Sequence, residues 1–190
     1  INVVISSSSG AGGAMTTRDF SEQHFGEGIE LLTRVFPDWF HPRLRFFAGR
    51  EHKLPVDFNE LIALIAPRPC LLSIALNDPV ESAWAMEETY LSAKKVYKLL
   101  GVEENLRILW RQGSHETWTT IIERYLDWCD LHFGRGSFDF PERLIYPHDW
   151  ERWRVKNKVQ IDAQAFPRNN PDDILILEDN SVISSVKDWE

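Results

Sequence analysis

The sequence predicts an α/β fold, a parallel sheet flanked by helices, and three observations carry that reading. Short apolar runs bounded by turn residues recur at 1–5, 70–76 and 105–111, the mark of buried strands. Apolar residues at helical spacing fill 27–35, 57–65, 82–100 and 118–133. A proline or glycine follows each of these stretches, at Pro37, Pro67, Gly101 and Gly134, where helices stop. Strands that alternate with helices pair in parallel, because each helix is the crossover that returns the chain to the same end of the sheet.

Each element has its local reason. INVVI (residues 1–5) is β-branched and apolar, and SSSSGAGGA (6–14) after it reads as a Gly/Ser loop. Ile29, Leu32 and Val35 form one helical stripe, and residues 38–50 are an aromatic and basic excursion without period. Asp57 with Glu60 three residues on is a capping-box pattern, and Leu61, Leu64 and Ile65 supply the apolar stripe behind it. Met86, Tyr90, Ala93, Tyr97 and Leu100 recur every three to four residues. In the last helix Trp118, Ile121, Ile122, Tyr125, Leu126, Cys129 and Phe133 define the expected inner face, with Gly134 in the position after the C-cap.

Organisation changes after Gly136. Residues 1–136 are expected to form the α/β domain, and 137–170, proline-bearing and of mixed charge, a linker or a surface extension. Residues 171–190 are expected to hold a strand pair around 178–181 and the start of a helix. The opening apolar strand, with nothing before it, leads us to expect that the domain begins upstream of Ile1.

Composition removes several classes of function. The chain has 190 residues, 43% hydrophobic and 26% charged, as a globular protein does and a disordered or collagenous one does not. No apolar run reaches the ~18–20 residues needed to cross a bilayer. A net charge of −8 repels phosphate backbones and argues against nucleic-acid binding. Cys70 and Cys129 are too few for a disulfide scaffold or a multi-cysteine zinc site and read as small buried apolar residues. His24, His41, His52, His132 and His148 show no metal-ligand spacing. Gly10, Gly12 and Gly13 fit neither phosphate-loop pattern. The eight tryptophans and eleven phenylalanines serve either a core or a carbohydrate cleft.

Chemistry in open α/β sheets sits in loops at the carboxyl ends of strands. Two such loops carry reactive groups: Asn77-Asp78-Pro79-Val80-Glu81 after the strand at 70–76, and Gln112-Gly113-Ser114-His115-Glu116 after the strand at 105–111. Acid and then histidine is the second half of the Ser, Asp/Glu, His chain order of α/β-hydrolases. There the imidazole takes and returns the nucleophile's proton, while the carboxylate fixes its tautomer. Asp78 and His115 are therefore the candidate pair, and Glu81 is the competing acid. The alternatives are an Asp that only forms the turn, a surface or capping His, and a Glu placed for the helix dipole. No G-x-S-x-G elbow exists in the chain, and none of Ser6, Ser7, Ser8 or Ser9 is nominated. The nucleophilic serine is expected upstream of residue 1.

Four segments in order resemble the C-terminal half of a glucuronoyl esterase, a carbohydrate esterase of the α/β-hydrolase superfamily. They are SSSGAGGA (7–14), FGEGIELLTRVFPDWF (25–40), LPVDFNELIALIAPRPCLLSIA (54–75) and GSHE (113–116). The resemblance implies His115 as general base. It offers two positions for the acid: one falls on Ser8, which cannot serve, and the other on Asp78, with Glu81 close behind. It implies that Glu27 contacts sugar hydroxyls. A substrate-contacting tryptophan of the family falls on Val80, and Trp84 is expected to reach that space instead. The implied activity is hydrolysis of glucuronate esters joining glucuronoxylan to lignin alcohols, without metal or cofactor, in a bacterial periplasmic or extracellular setting. Acetyl-xylan or other carboxylester hydrolysis is the rival within the fold, and a non-catalytic carbohydrate-binding module the rival outside it. PDDILILEDNSVISSVKDWE (171–190) resembles the beginning of such an esterase, which would make the chain a junction of two tandem modules.

Overall fold

The computed structural model describes residues 2–18, 27–146, 150–162, 165 and 181. The chain divides into two compact units, 1–147 and 148–190. The second contributes one described helix, α5 (Trp150–Asn157), inside a stretch where the sequence shows no strong period. The strand pair and helix start expected within 171–190 lie outside the described residues, apart from Ser181.

In the first unit three strands form a parallel sheet in the order β1 (Val4–Ser7), β2 (Cys70–Ala75), β3 (Leu106–Arg111). Val4 pairs with Cys70 and Cys70 with Leu106, and the register runs on to Ala75 opposite Arg111. Side chains alternate between the faces of a strand, so this register sorts them into two layers. Val4, Cys70, Leu72, Ile74, Leu106, Ile108 and Trp110 share one face. Helices α1 (Ile29–Val35), α2 (Phe58–Ala63) and α3 (Ala83–Leu99) cover it through Leu32, Ile62, Met86, Tyr90, Ala93 and Tyr97. Val3, Ile5, Leu71 and Leu109 take the other face, under Tyr125, Trp128 and Leu131 of α4 (Thr119–His132). β2 is buried along its whole length, as the central strand of a doubly covered sheet must be. β1 is shorter than the apolar run at 1–5 suggests and only half-buried, because β2 is its one partner among the described strands.

Residues 10–14 are a loop built on a tight turn: Ala11 (φ −59°, ψ 137°) and Gly12 (φ 81°, ψ 0°) have type II turn dihedrals, and Ala14 N donates to Ser9 O at 2.9 Å and Met15 N to Gly10 O at 3.3 Å. Gly12 is thus in the left-handed region, and a Cβ there would lie 2.3 Å from the Phe40 ring. Several other elements differ from the sequence reading for identifiable reasons. Asp57 does cap α2, but Glu60 does not close the box. Its carboxylate faces Arg18 at 3.6 Å, while Asp57 takes up the 16–18 segment: Thr16 Oγ1 (2.7 Å), Thr17 N (2.9 Å) and Arg18 N (2.8 Å) all donate to its Oδ2, and Phe58 N donates to its Oδ1 at 2.8 Å. α2 buries Ile62, whereas Leu61 and Leu64 are exposed. Six residues are too few for periodicity to fix which side faces in. α4 likewise carries two apolar stripes. The one with the bulk of Tyr125 and Trp128 packs on the sheet, leaving Trp118, Ile122, Leu126 and Phe133 exposed and Cys129 half-buried. Leu100, past the end of α3, is exposed as well.

Residues 137–146 run along β3 without adding a strand. Arg107 Nε donates to Phe140 O (2.8 Å) and Trp110 Nε1 to Arg143 O (2.7 Å). Phe138 and Phe140 pack into the α4 layer and Leu144 into the opposite one.

Candidate active site

β2 and β3 end side by side, at Ala75 and Arg111, and their pairing continues into the loops beyond. Leu76 N donates to Arg111 O at 3.0 Å, and Asn77 N to Gly113 O at 3.3 Å. Gly113, at φ 98°, makes the left-handed turn that a side chain would resist. Residues 37 positions apart in sequence thereby meet: His115 Nδ1 lies 2.9 Å from Asp78 Oδ2.

The two partners have opposite environments. The Asp78 side chain is fully buried and that of His115 is 60% exposed. Asp78 Oδ1 accepts from Val80 N at 3.0 Å, an Asx turn that fixes the carboxylate. Its other oxygen holds Nδ1, which leaves Nε2 as the imidazole nitrogen free to exchange a proton. His115 borders a cavity of about 420 Å³ shared with Ser8, Gly12, Glu27, Trp39, Phe40 and Val80.

Glu81 is also buried, with Oε2 accepting from Ala75 N at 3.3 Å and Oε1 without a hydrogen-bond partner among the described residues. Burial, and then the neighbouring Asp78 charge, push its carboxyl up to about 7. It lies beside the pair and not in it: Asp78, not Glu81, holds the imidazole. Glu27 stands in the cavity wall, and burial raises its carboxyl above the usual range against the opposing pull of His115. The structure does not bring Trp84 there. Its ring meets Tyr146 edge-on at 5.4 Å, because 137–146 folds back onto α3. The tryptophan that does line the cavity is Trp39, 63% exposed and stacked on Phe36 at 4.1 Å. The FPDWF segment held that signal in its aromatic density. Cys70 is buried and its thiol is pushed up to about 12 by burial, as an inert core residue. No group of three or more potential metal ligands occurs among the described residues, and no described helix is long and apolar enough to cross a membrane.

A buried carboxylate and an exposed imidazole, offered from the ends of consecutive parallel strands with helices on both sheet faces, define an α/β-hydrolase. Residues 1–101 match the family described as "Glucuronyl esterase, fungi", and the chain belongs to that family. It is 31% identical over 154 residues to carbohydrate esterase MZ0003 from an unknown prokaryotic organism, covering 71% of this chain and 34% of the relative. A carbohydrate esterase family 15 glucuronoyl esterase from Caldicellulosiruptor kristjansonii is similar at TM-score 0.71 and 28% identity, with 80% of this chain and 42% of that one covered. A promiscuous esterase of the same family from the marine bacterial metagenome is similar at TM-score 0.63 and 30% identity, with 70% and 36% covered. The chain thus spans about a third to two fifths of the length of these relatives.

Proposed function

We propose that the protein carrying this chain is a serine-type esterase that cleaves glucuronate esters between xylan and lignin alcohols. His115 acts as general base and then acid, Asp78 orients it, and Glu27 and Trp39 contact the sugar. The observation that carries this reading is the 2.9 Å contact between His115 Nδ1 and a fully buried Asp78, at the rim of a cavity that also holds Glu27. Family membership and the likeness to glucuronoyl esterases support the substrate class.

The nucleophilic serine comes from outside residues 1–190. Its hydroxyl loses its proton to His115 Nε2 and attacks the ester carbonyl. The alcohol leaves with that proton, and water, activated by the same imidazole, releases the uronic acid and regenerates the serine. Asp78 holds the imidazole and stabilises the imidazolium that forms. No step requires a metal or cofactor. A polymeric plant-wall substrate places the enzyme in a bacterial periplasm or outside the cell.

The test is hydrolysis of benzyl glucuronate and acetylated xylan by the complete protein and its His115→Ala variant. We expect turnover of the glucuronate ester to exceed deacetylation, and the variant to lose roughly 10⁴-fold or more in kcat while still binding glycan. Activity surviving the substitution would remove His115 from the mechanism. A preference for the acetyl ester would move the substrate.

A further inference from the structure

His115 is the exposed member of its pair, so its aim depends on the backbone beneath it. That backbone is gathered by one side chain. Arg111, the last residue of β3, is 2% exposed. Its Nη1 donates to Ser114 O at 2.9 Å and to Glu116 O at 2.5 Å, and its Nη2 reaches His115 O at 3.4 Å and the Ser8 hydroxyl. Ser8 Oγ in turn donates to His115 O at 3.1 Å. Three successive carbonyls of the histidine loop thus converge on a single planar guanidinium, tied through Ser8 to the end of β1.

Two features set this apart from ordinary packing. The hydrogen bonds of Arg111 go to carbonyls and a hydroxyl, its buried Nε has no partner among the described residues, and the Glu81 carboxyl acts on the guanidinium through charge alone. Burying a guanidinium in that way is costly, and an apolar side chain would serve stability better. Ser8, the other end of the clasp, is a non-glycine residue at φ 47°, in the left-handed region where held strain collects at working sites. The cost falls on the strand end beneath the imidazole loop, and the strain on the residue after β1 that is tied to it.

We infer that Arg111, with Ser8, is a positioning residue of the esterase: it fixes the 113–116 loop so that Nδ1 of His115 stays on Asp78 and Nε2 stays aimed into the cavity. The inference rests on the proposed role of His115. A fork is required, because an ammonium is a point donor and cannot span three carbonyls and a hydroxyl.

The experiment compares the complete protein with its Arg111→Lys, Arg111→Met and Ser8→Ala variants, His115→Ala serving as the reference. Each folded variant is measured for kcat and KM on benzyl glucuronate, for its melting curve, and for the downfield proton resonance of the Asp–His hydrogen bond. Misplacing a catalytic group by about 1 Å costs about 10²-fold, so both Arg111 variants should lose about that in kcat with KM within twofold. The downfield proton should be lost or broadened although the fold is retained. Ser8→Ala should lose several-fold in kcat with an unchanged melting curve. If the Arg111 variants do not fold, Ser8→Ala decides: a several-fold fall in kcat at constant KM supports the clasp, and an unchanged kcat overturns it. Folded Arg111 variants with native kcat and a native downfield proton overturn it too. Activity that survives in His115→Ala sinks the reading of the site itself, whereas dead His115→Ala beside fully active Arg111 variants sinks only this inference.

Discussion

Asp57 and Asp78 are both buried aspartates at the start of a turn or helix, and the molecule uses them in opposite ways. Asp57 is saturated by donors from Thr16, Thr17, Arg18 and Phe58. Burial alone would raise its carboxyl, but the hydrogen bonds from Thr16, Arg18, Phe58 and Thr17 outweigh it and hold the group below the usual range. Asp78 takes one backbone N–H and gives its second oxygen to a side chain that solvent can reach. A carboxylate whose lone pairs are filled by its own backbone is a fastener. One that keeps an oxygen for a titratable partner can take part in chemistry. Glu81 is a third kind, buried with one oxygen that no described residue claims.

Substitution at each carboxylate separates the three kinds. The largest effect belongs to Asp78→Asn. An amide keeps the shape but stabilises the wrong tautomer and no imidazolium, so kcat of the complete protein should fall by roughly 10³–10⁴-fold. The melting temperature should move by only a few degrees, and a kcat within tenfold of wild type would make Asp78 a second fastener. Asp57→Ala should do the reverse. It strands several buried donors and removes a cap, which costs about 3–5 kcal/mol in denaturant unfolding, while kcat of the folded fraction changes little. The same group gives a pH signature. Its native carboxyl is depressed, so the unfolded chain protonates first. The stabilisation is complete above the unfolded value near 4 and drains away below it, and Asp57→Ala should flatten that acid limb. The smallest effect belongs to Glu81→Gln. A native value raised from 4.5 to about 7 means the folded protein holds a proton that the unfolded chain has released. Stability therefore falls as pH rises from about 4.5 to about 7, by on the order of 3 kcal/mol. The amide should abolish that slope and leave the variant more stable than wild type at pH 8. An unchanged slope would show that Glu81 ionises normally.

Much of this was legible in the sequence, and what was not has a physical cause. The β2–α3–β3–α4 order, the helix stops at Pro37, Gly101 and Gly134, and the convergence of Asp78 and His115 follow from rules that act along the chain. Strand ends and loop order are local, and parallel register does the rest. The orientation of α2 and α4 was not legible, because Leu61, Leu64, Trp118 and Leu126 satisfy the same spacing as the residues that pack inward. Trp84 was misplaced because its neighbour Tyr146 lies 62 positions away, beyond any pattern of spacing. Arg111 is the last residue of the strand at 105–111, and nothing in the sequence marks it out. Its part emerges only when Ser8, 103 positions earlier, arrives beside it.

The 137–146 segment leaves one further mark on the molecule. It clasps β3 from both faces, through Arg107 and Phe140 on one side and Trp110 and Leu144 on the other. Among the described strands β3 is the outer one, so this coil lies along the border where a further strand would add, and a border left bare in that way is a template for self-association.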